Sequence, residues 1–262
     1  LEQAGLLPSL VVTAPDKPKG RKLILSPSDV RIWSEARNIP VTTPGTLKGD
    51  EIRDALEEVG ADCFVVAAYG KLIPKTILDI PPQGVLNVHP SLLPKFRGPS
   101  PIESAIISNE TETGVTIILL DEEMDHGPIL ATSSPVDITD TPKGSVLTER
   151  LAHEGGRLLA MVMRDRNAYP PKEQAHSQAT FTAKTKKEDG LLDLQNAPEA
   201  NLKKIRAFDE WPGAYFFTER NGRAMRIKVT DATIENGALR IRKVIPEGKH
   251  EMSYDDLMRG VI

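Results

Sequence analysis

From residue 9 to residue 89, short apolar runs alternate with segments of helical period, and few folds accommodate that alternation. Residues 9–13, 39–41, 63–67 and 84–89 read as strands. Residues 28–37 and 48–59 repeat their apolar positions at helical spacing, and Ser28 is placed to cap the first of these helices. Strand–helix–strand repeats of this length need crossover connections, so the expected fold class is α/β, a doubly wound Rossmann-like domain with a mostly parallel sheet. The run 63–67, CFVVA, is apolar throughout, as a strand covered on both faces must be. No G-x-G-x-x-G follows any of these runs, which argues against a nicotinamide or flavin dehydrogenase.

The run 84–89 ends on Pro90, which holds His89 extended and cannot donate to a ladder. Residues two apart in a strand share a face, so Asn87 and His89 point to one side and Val88 to the other. An amide and an imidazole are thus presented together at the carboxyl end of a strand, where open α/β sheets bind ligands. A further strand, 114–120, runs into the acidic loop DEEMDHGPI, which supplies Asp125. The three side chains offer a donor for a developing oxyanion, a proton carrier, and a carboxylate to orient it. On spacing alone, a structural pair of polar residues is the commoner meaning of N-x-H on a strand.

A helix over 101–108, a strand over 129–136 and a long helix over 144–164 complete this part. Residues 167–187 carry Pro170 and Pro171, show little periodicity, and read as a linker. A helix over 196–208 follows, then strands at 215–217, 225–230 and 239–244, with Asn221-Gly222 and Asn236-Gly237 as hairpin turns. The expected domains are therefore 1–166, a linker at 167–187, and a small β-rich unit at 188–262. The 262 residues suffice for two cores, and no run of about 18 apolar residues exists to span a membrane. The single cysteine, Cys63, lies in an apolar strand and reads as a buried inert thiol, which fits the cytoplasm.

A net charge of −4 argues against a uniformly basic nucleic-acid binder, but the charge is unevenly spread. Residues 1–180 hold 18 basic and 24 acidic side chains, net −6, and residues 181–262 hold 15 and 13, net +2. Within the acidic part, Lys17, Lys19, Arg21 and Lys22 crowd one loop rich in Pro, Gly and Lys. Such a loop is either a solvated surface or a contact for phosphates.

The run N-x-H-x-S-L-L-P-x-x-R-G-x-x-P-I from Asn87, followed by E-T-G-V-T and D-x-G-P-I, resembles the folate-dependent formyltransferase family. AAYGKLIP, the segment ATFTAKTKKEDG, W-P-G-A from Trp211 and the ending PEGKHEM extend the likeness over most of the chain. The resemblance implies formyl transfer from 10-formyltetrahydrofolate without a metal, with Asn87, His89 and Asp125 as catalytic residues. It implies that Ser91, Leu92, Leu93 and Pro94 line the folate site, and that Ala68, Tyr69 and Gly70 wall the pterin pocket by backbone. The loop at Lys17, Lys19, Arg21 and Lys22 and the PEGK–M ending are most similar to the branch of the family that acts on initiator methionyl-tRNA. There that loop enters the acceptor stem, and Arg97 reads either as a solvated surface charge or as a contact for the acceptor end or the glutamyl tail of the folate. W-P-G-A is read as apolar packing at a turn, and His126 is given no role. A monomer without membrane attachment is expected. An amino sugar or glycinamide ribonucleotide as acceptor stays open, as does a non-catalytic RNA- or folate-binding protein. Two departures stand out. Nothing matches the family's opening F-x-G-T-P-x-F, so the first strand and its turn are expected to be missing. About fifty residues follow Trp211, too few for a full five-stranded oligonucleotide-binding barrel, so a reduced barrel is expected.

Overall fold

The computed structural model describes residues 1–19, 24–138, 143–220 and 222–260. Strand–helix alternation is present from the start. β1 (Val11–Val12) is followed by a hairpin where a basic loop is expected, β2 (Lys17–Lys19) pairing antiparallel with β3 (Ile24–Ser26). α1 (Asp29–Glu35) begins at Ser28, whose hydroxyl accepts from the Arg31 backbone N–H at 3.2 Å. β4 (Val41–Thr42) then pairs in parallel with β1. α2 (Asp50–Val59) opens on Asp50 and Glu51, which suit the positive end of the helix dipole, and stops at Gly60 in the left-handed conformation. Its Ile52 and Leu56, one turn apart, are buried with Leu47 and Ile77.

β5 (Phe64–Ala67) leads through α3 (Lys75–Leu78) to β6 (Val85–His89), which is parallel to it. After α4 (Pro101–Ile107) and β7 (Glu112–Thr113), the chain returns to the same sheet as β8 (Thr116–Leu119). Thr116 lies opposite His89, so β8 runs antiparallel to β6. Residues 120–128 are too short for a parallel crossover, and β9 (Ile129–Thr132) is antiparallel to β8. The order is β5-β6-β8-β9. The βαβ unit β5–β6 is parallel, as the alternation requires, while β8 and β9, joined by the acidic loop, are antiparallel to their neighbours. β6 is covered on both faces: Val85 and Leu86 are 1% exposed, beside Ile117 and Ile118 of β8 at 0%. Burial of such side chains stabilises by about 1.5–3 kcal/mol each. The strand expected at 129–136 is two strands. Pro135 cannot donate to a ladder, and β10 (Val136–Asp137) turns to pair with β7 instead. The long helix α5 (Gly144–Arg164) has the bounds expected of it.

α6 (Pro198–Ala207) starts on a proline, favourable in a first turn, and buries Ile205. Four antiparallel strands follow in order: β11 (Tyr215–Arg220), β12 (Arg223–Glu235), β13 (Ala238–Pro246) and β14 (Met252–Ser253). At the β12–β13 turn, Asn236 (φ 51°) and Gly237 (φ 74°) both take the positive φ of a type I′ turn. Ile227, Val229, Val244 and Ala214 form the centre of this small core. β14 and the helix α7 (Tyr254–Arg259) are too short to have shown a period in the sequence. In W-P-G-A the packing falls to Ala214, which is sealed, whereas Trp211 is 59% exposed. Among the described residues, no helix is long and apolar enough to cross a membrane.

By proximity the chain forms two compact units. One comprises Leu1–His89, Thr116–Thr132 and Gly155–His176, and so holds the β5-β6-β8-β9 sheet. The other comprises Pro90–Val115, Ser133–Glu154 and the chain from Ser177 onward.

Candidate active site

β6 is an apolar strand interrupted by two polar residues on one face. Asn87 is 9% exposed and His89 4% exposed, and buried amides and imidazoles require polar partners. The loop between β8 and β9 supplies one. Asn87 Nδ2 donates to Asp125 Oδ1 at 3.3 Å, and the same oxygen lies 3.6 Å from His89 Nδ1. The sheet thus brings together the amide, the imidazole and the carboxylate named from the sequence. The Asp125 side chain is itself only 13% exposed, so its charge acts in a poorly screened setting.

The loop carrying Asp125 is tightly determined. Asp125 has φ 50°, a left-handed conformation that Asp and Asn tolerate better than other side chains. Leu119 N–H donates to the Pro128 carbonyl at 3.0 Å and closes the neck of the loop. A Cβ at Gly127 would run into the Leu119 carbonyl, so this position admits only glycine without a shift. Where the loop rejoins the sheet, Ile129 and Lys172 exchange reciprocal backbone hydrogen bonds of 2.8 Å each. Two residues on, Gln174 is 5% exposed, and its Nε2 donates to the carbonyls of Asp125 at 2.9 Å and Gly127 at 2.8 Å. Gln174 lies in the stretch read as a linker, where an aperiodic sequence after two prolines gives no local sign of such a role. On the same loop, His126 Nδ1 lies 2.7 Å from Asp121 Oδ2, and its ring stacks on His176 at 4.2 Å between centroids.

At the end of β5, Ala68 (φ 50°) and Gly70 (φ 70°) both take left-handed backbone, which turns the chain sharply out of the strand. Tyr69 between them packs on the Leu47, Ile52, Leu56 and Ile77 cluster, and burial raises its phenol above the ordinary value. Cys63 likewise has its thiol pushed up, by burial first and by Asp62 second, which disfavours the reactive thiolate.

In the second unit, Ser91 is sealed and donates to the Lys95 carbonyl at 2.7 Å. Leu92 packs over Gly114, and Leu93 precedes Pro94 through a cis peptide bond. Arg97 departs from expectation. It is 3% exposed, its backbone is bridged to Thr180 and Thr182, and its guanidinium lies over Phe181 at 5.9 Å. The reading of Arg97 as a solvated surface charge is corrected: it is an interior residue of this unit.

Lys17 is exposed on β2 opposite Ser26 of β3, the strand whose Ile24 and Leu25 are 61% and 66% exposed. Lys19 is placed by its backbone, while Arg21 and Lys22 lie outside the described residues. Among the described residues, no group of three His, Cys, Asp or Glu side chains is arranged to hold a metal ion.

Residues 6–163 match the family described as Formyl transferase, and residues 184–238 match Formyl transferase, C-terminal domain. The methionyl-tRNA formyltransferase of Chloroflexus aurantiacus is 45% identical over 219 residues, 83% of this chain and 70% of that protein. That of Thermus thermophilus is 38% identical over 269 residues, 96% of this chain and 88% of that protein. HypX from Aquifex aeolicus, solved in complex with tetrahydrofolic acid, aligns with a TM-score of 0.66 at 17% identity. The alignment covers 95% of this chain and 46% of HypX, so this chain spans about half of that protein, and the likeness concerns the fold.

Proposed function

The chain belongs to the formyl transferase family, and on that premise we propose that it moves the formyl group of 10-formyltetrahydrofolate to the amino group of methionine on initiator tRNA, for translation initiation. The observation that carries the proposal is the convergence of Asn87 and His89 on one oxygen of Asp125. The relatives described above are named for methionyl-tRNA, which favours this acceptor over an amino sugar or glycinamide ribonucleotide.

The methionyl nitrogen attacks the formyl carbon, and negative charge gathers on the former carbonyl oxygen. Asn87 can donate to that oxygen, because its NH2 carries two hydrogens and the bond to Asp125 uses one. Asp125 faces Nδ1 of His89, so it orients the ring and leaves Nε2 as the proton-exchanging nitrogen. His89 then takes a proton from the attacking amine and delivers one to the departing folate nitrogen, while Asp125 stabilises the imidazolium in between. Such proton transfer contributes on the order of 10²–10⁴ in rate.

On this proposal Ser91, Leu92, Leu93 and Pro94, with the backbone of Ala68, Tyr69 and Gly70, hold the folate. Lys17, Lys19, Arg21 and Lys22 contact tRNA phosphates. Residues 1–166 carry the chemistry, residues 188–262 form a tRNA-contacting domain, and the protein works in the cytoplasm. Incubation with 10-formyltetrahydrofolate and charged initiator tRNA tests the proposal by release of formylmethionine on deacylation. Formylation of glycinamide ribonucleotide or an amino sugar in place of the tRNA would refute the acceptor, and turnover of none of the three would refute the activity.

A further inference from the structure

We infer, on the strength of the formyl-transfer function proposed above, that Gln174 is a positioning residue that sets the distance between Asp125 and His89. Two carbonyls, those of Asp125 and Gly127, point at one buried spot. Their oxygens repel one another unless a donor stands between them, and two acceptors need two hydrogens. The Gln174 amide supplies both, at 2.9 and 2.8 Å, from a side chain 5% exposed. Gln174 is in turn fixed by the reciprocal Lys172–Ile129 bridge two residues before it. The amide therefore clamps the Asp125 peptide from the side of its own carbonyl.

The clamp acts on a residue held in left-handed backbone. Asp125 holds φ 50°, and a left-handed residue in a loop persists only when its surroundings determine it. If the peptide relaxes, Oδ1 moves relative to His89 Nδ1, which lies 3.6 Å away. A misplacement of about 1 Å near reacting groups can cost on the order of 10² in rate.

Chemistry separates positioning from mere bulk. Glu at this position keeps the shape of Gln. Ionised, it sets a negative oxygen against two carbonyl oxygens; protonated, it has one hydrogen to give. The Gln174→Glu enzyme should therefore recover relative to wild type as pH falls.

The test compares wild type, Gln174→Leu, Gln174→Glu and Gln174→Leu in an Asp125→Asn background. Substrates are 10-formyltetrahydrofolate and charged initiator tRNA, and thermal melting verifies folding. Gln174→Leu should lower kcat about 10- to 100-fold while KM for either substrate changes less than about 3-fold. In the Asp125→Asn background the same substitution should cost less than about 3-fold, because two changes that act through one group are not additive. A full penalty in that background, or an unchanged kcat in the single variant, overturns the inference. The imidazole ¹⁵N shifts of His89 give a readout independent of turnover. They should change in Gln174→Leu in the same direction as in Asp125→Asn, and unchanged shifts overturn the inference. A wild-type protein that turns over nothing sinks the formyl-transfer proposal alone, since the imidazole signals still decide the role of Gln174.

Discussion

Replacing Asp125 by Asn removes one charge and little else. Asn is at home at the φ of 50° found here, and it keeps an oxygen to accept from Asn87 Nδ2. What disappears is the negative charge 3.6 Å from His89 Nδ1. Two unit charges at that separation attract by about 1.2 kcal/mol in water and about 4.6 kcal/mol at an effective dielectric of 20. The two side chains are 5% and 13% exposed, which places the pair toward the larger value. At about 1.36 kcal/mol per decade, these limits correspond to losses of about 10-fold and about 2,000-fold. The expected fall in kcat is therefore about 10²- to 10³-fold. Single-turnover formylation at saturating folate and charged tRNA measures it. Equilibrium folate titration and thermal melting should differ little from wild type, because shape and backbone are preserved. Asp125→Gly is the companion: it accepts the positive φ more readily still, lacks the acceptor as well as the charge, and should be no more active than the Asn variant. A kcat for Asp125→Asn within about 3-fold of wild type would refute an electrostatic role for the carboxylate.

Neutralising Lys17, Lys19, Arg21 and Lys22 should raise KM for charged tRNA, leave folate binding intact, and reduce the salt slope of tRNA binding by about 1 for each phosphate no longer neutralised. An unchanged slope marks the segment as solvated surface. Glu103, in the first turn of α4, has its carboxyl pushed up by burial, against a smaller lowering by its own backbone N–H. The folded form then binds its proton more tightly than the unfolded one. Stability is lost as pH rises from the ordinary carboxylate range through the raised value. Glu103→Gln should therefore melt higher than wild type at about pH 8 and no higher at about pH 4, by calorimetry at the two values.

Elements with local causes are legible in the sequence. The 21 residues of α5 repeat their apolar positions long enough to fix both ends, Ser28 announces α1, and Asn236-Gly237 specifies its own turn. Asn87 and His89 are legible because a polar pair in an apolar strand is conspicuous, and Asp125 because an acidic loop follows the next strand. Their mutual distances are not, since they depend on β8 lying against β6. The β2–β3 hairpin is hidden by composition: Lys and Pro are depleted in strands, and the segment pairs on the surface. Arg97 and Gln174 elude a sequence reading for one reason. Arg97 is buried through Thr180 and Thr182, and Gln174 reaches back to Asp125 across 49 positions, so neither carries a local period. An extended segment that pairs over long range leaves the same aperiodic trace as a linker.

Gly127 tests how strictly the loop is held. A Cβ there would strike the Leu119 carbonyl, with the Asp121 backbone nitrogen already in van der Waals contact at 3.4 Å. Leu119 cannot retreat, because it is paired with Leu86 in the sheet and its N–H holds the Pro128 carbonyl. Gly127 cannot retreat without drawing its own carbonyl away from Gln174. Gly127→Ala must therefore displace the loop. Overpacking of this kind costs about 1–3 kcal/mol, which lowers the melting temperature by about 2–10 °C. Because Asp125 rides on the same loop, kcat should fall by about 10- to 100-fold as well. Gly156, inside α5 with nothing within 4 Å of an added Cβ, is the control. Gly156→Ala should gain about 0.5–1 kcal/mol through helix propensity and leave turnover alone. If the two alanine variants melt alike and turn over alike, the close approach of Gly127 to Leu119 does not hold the loop, and Asp125 is positioned by other means.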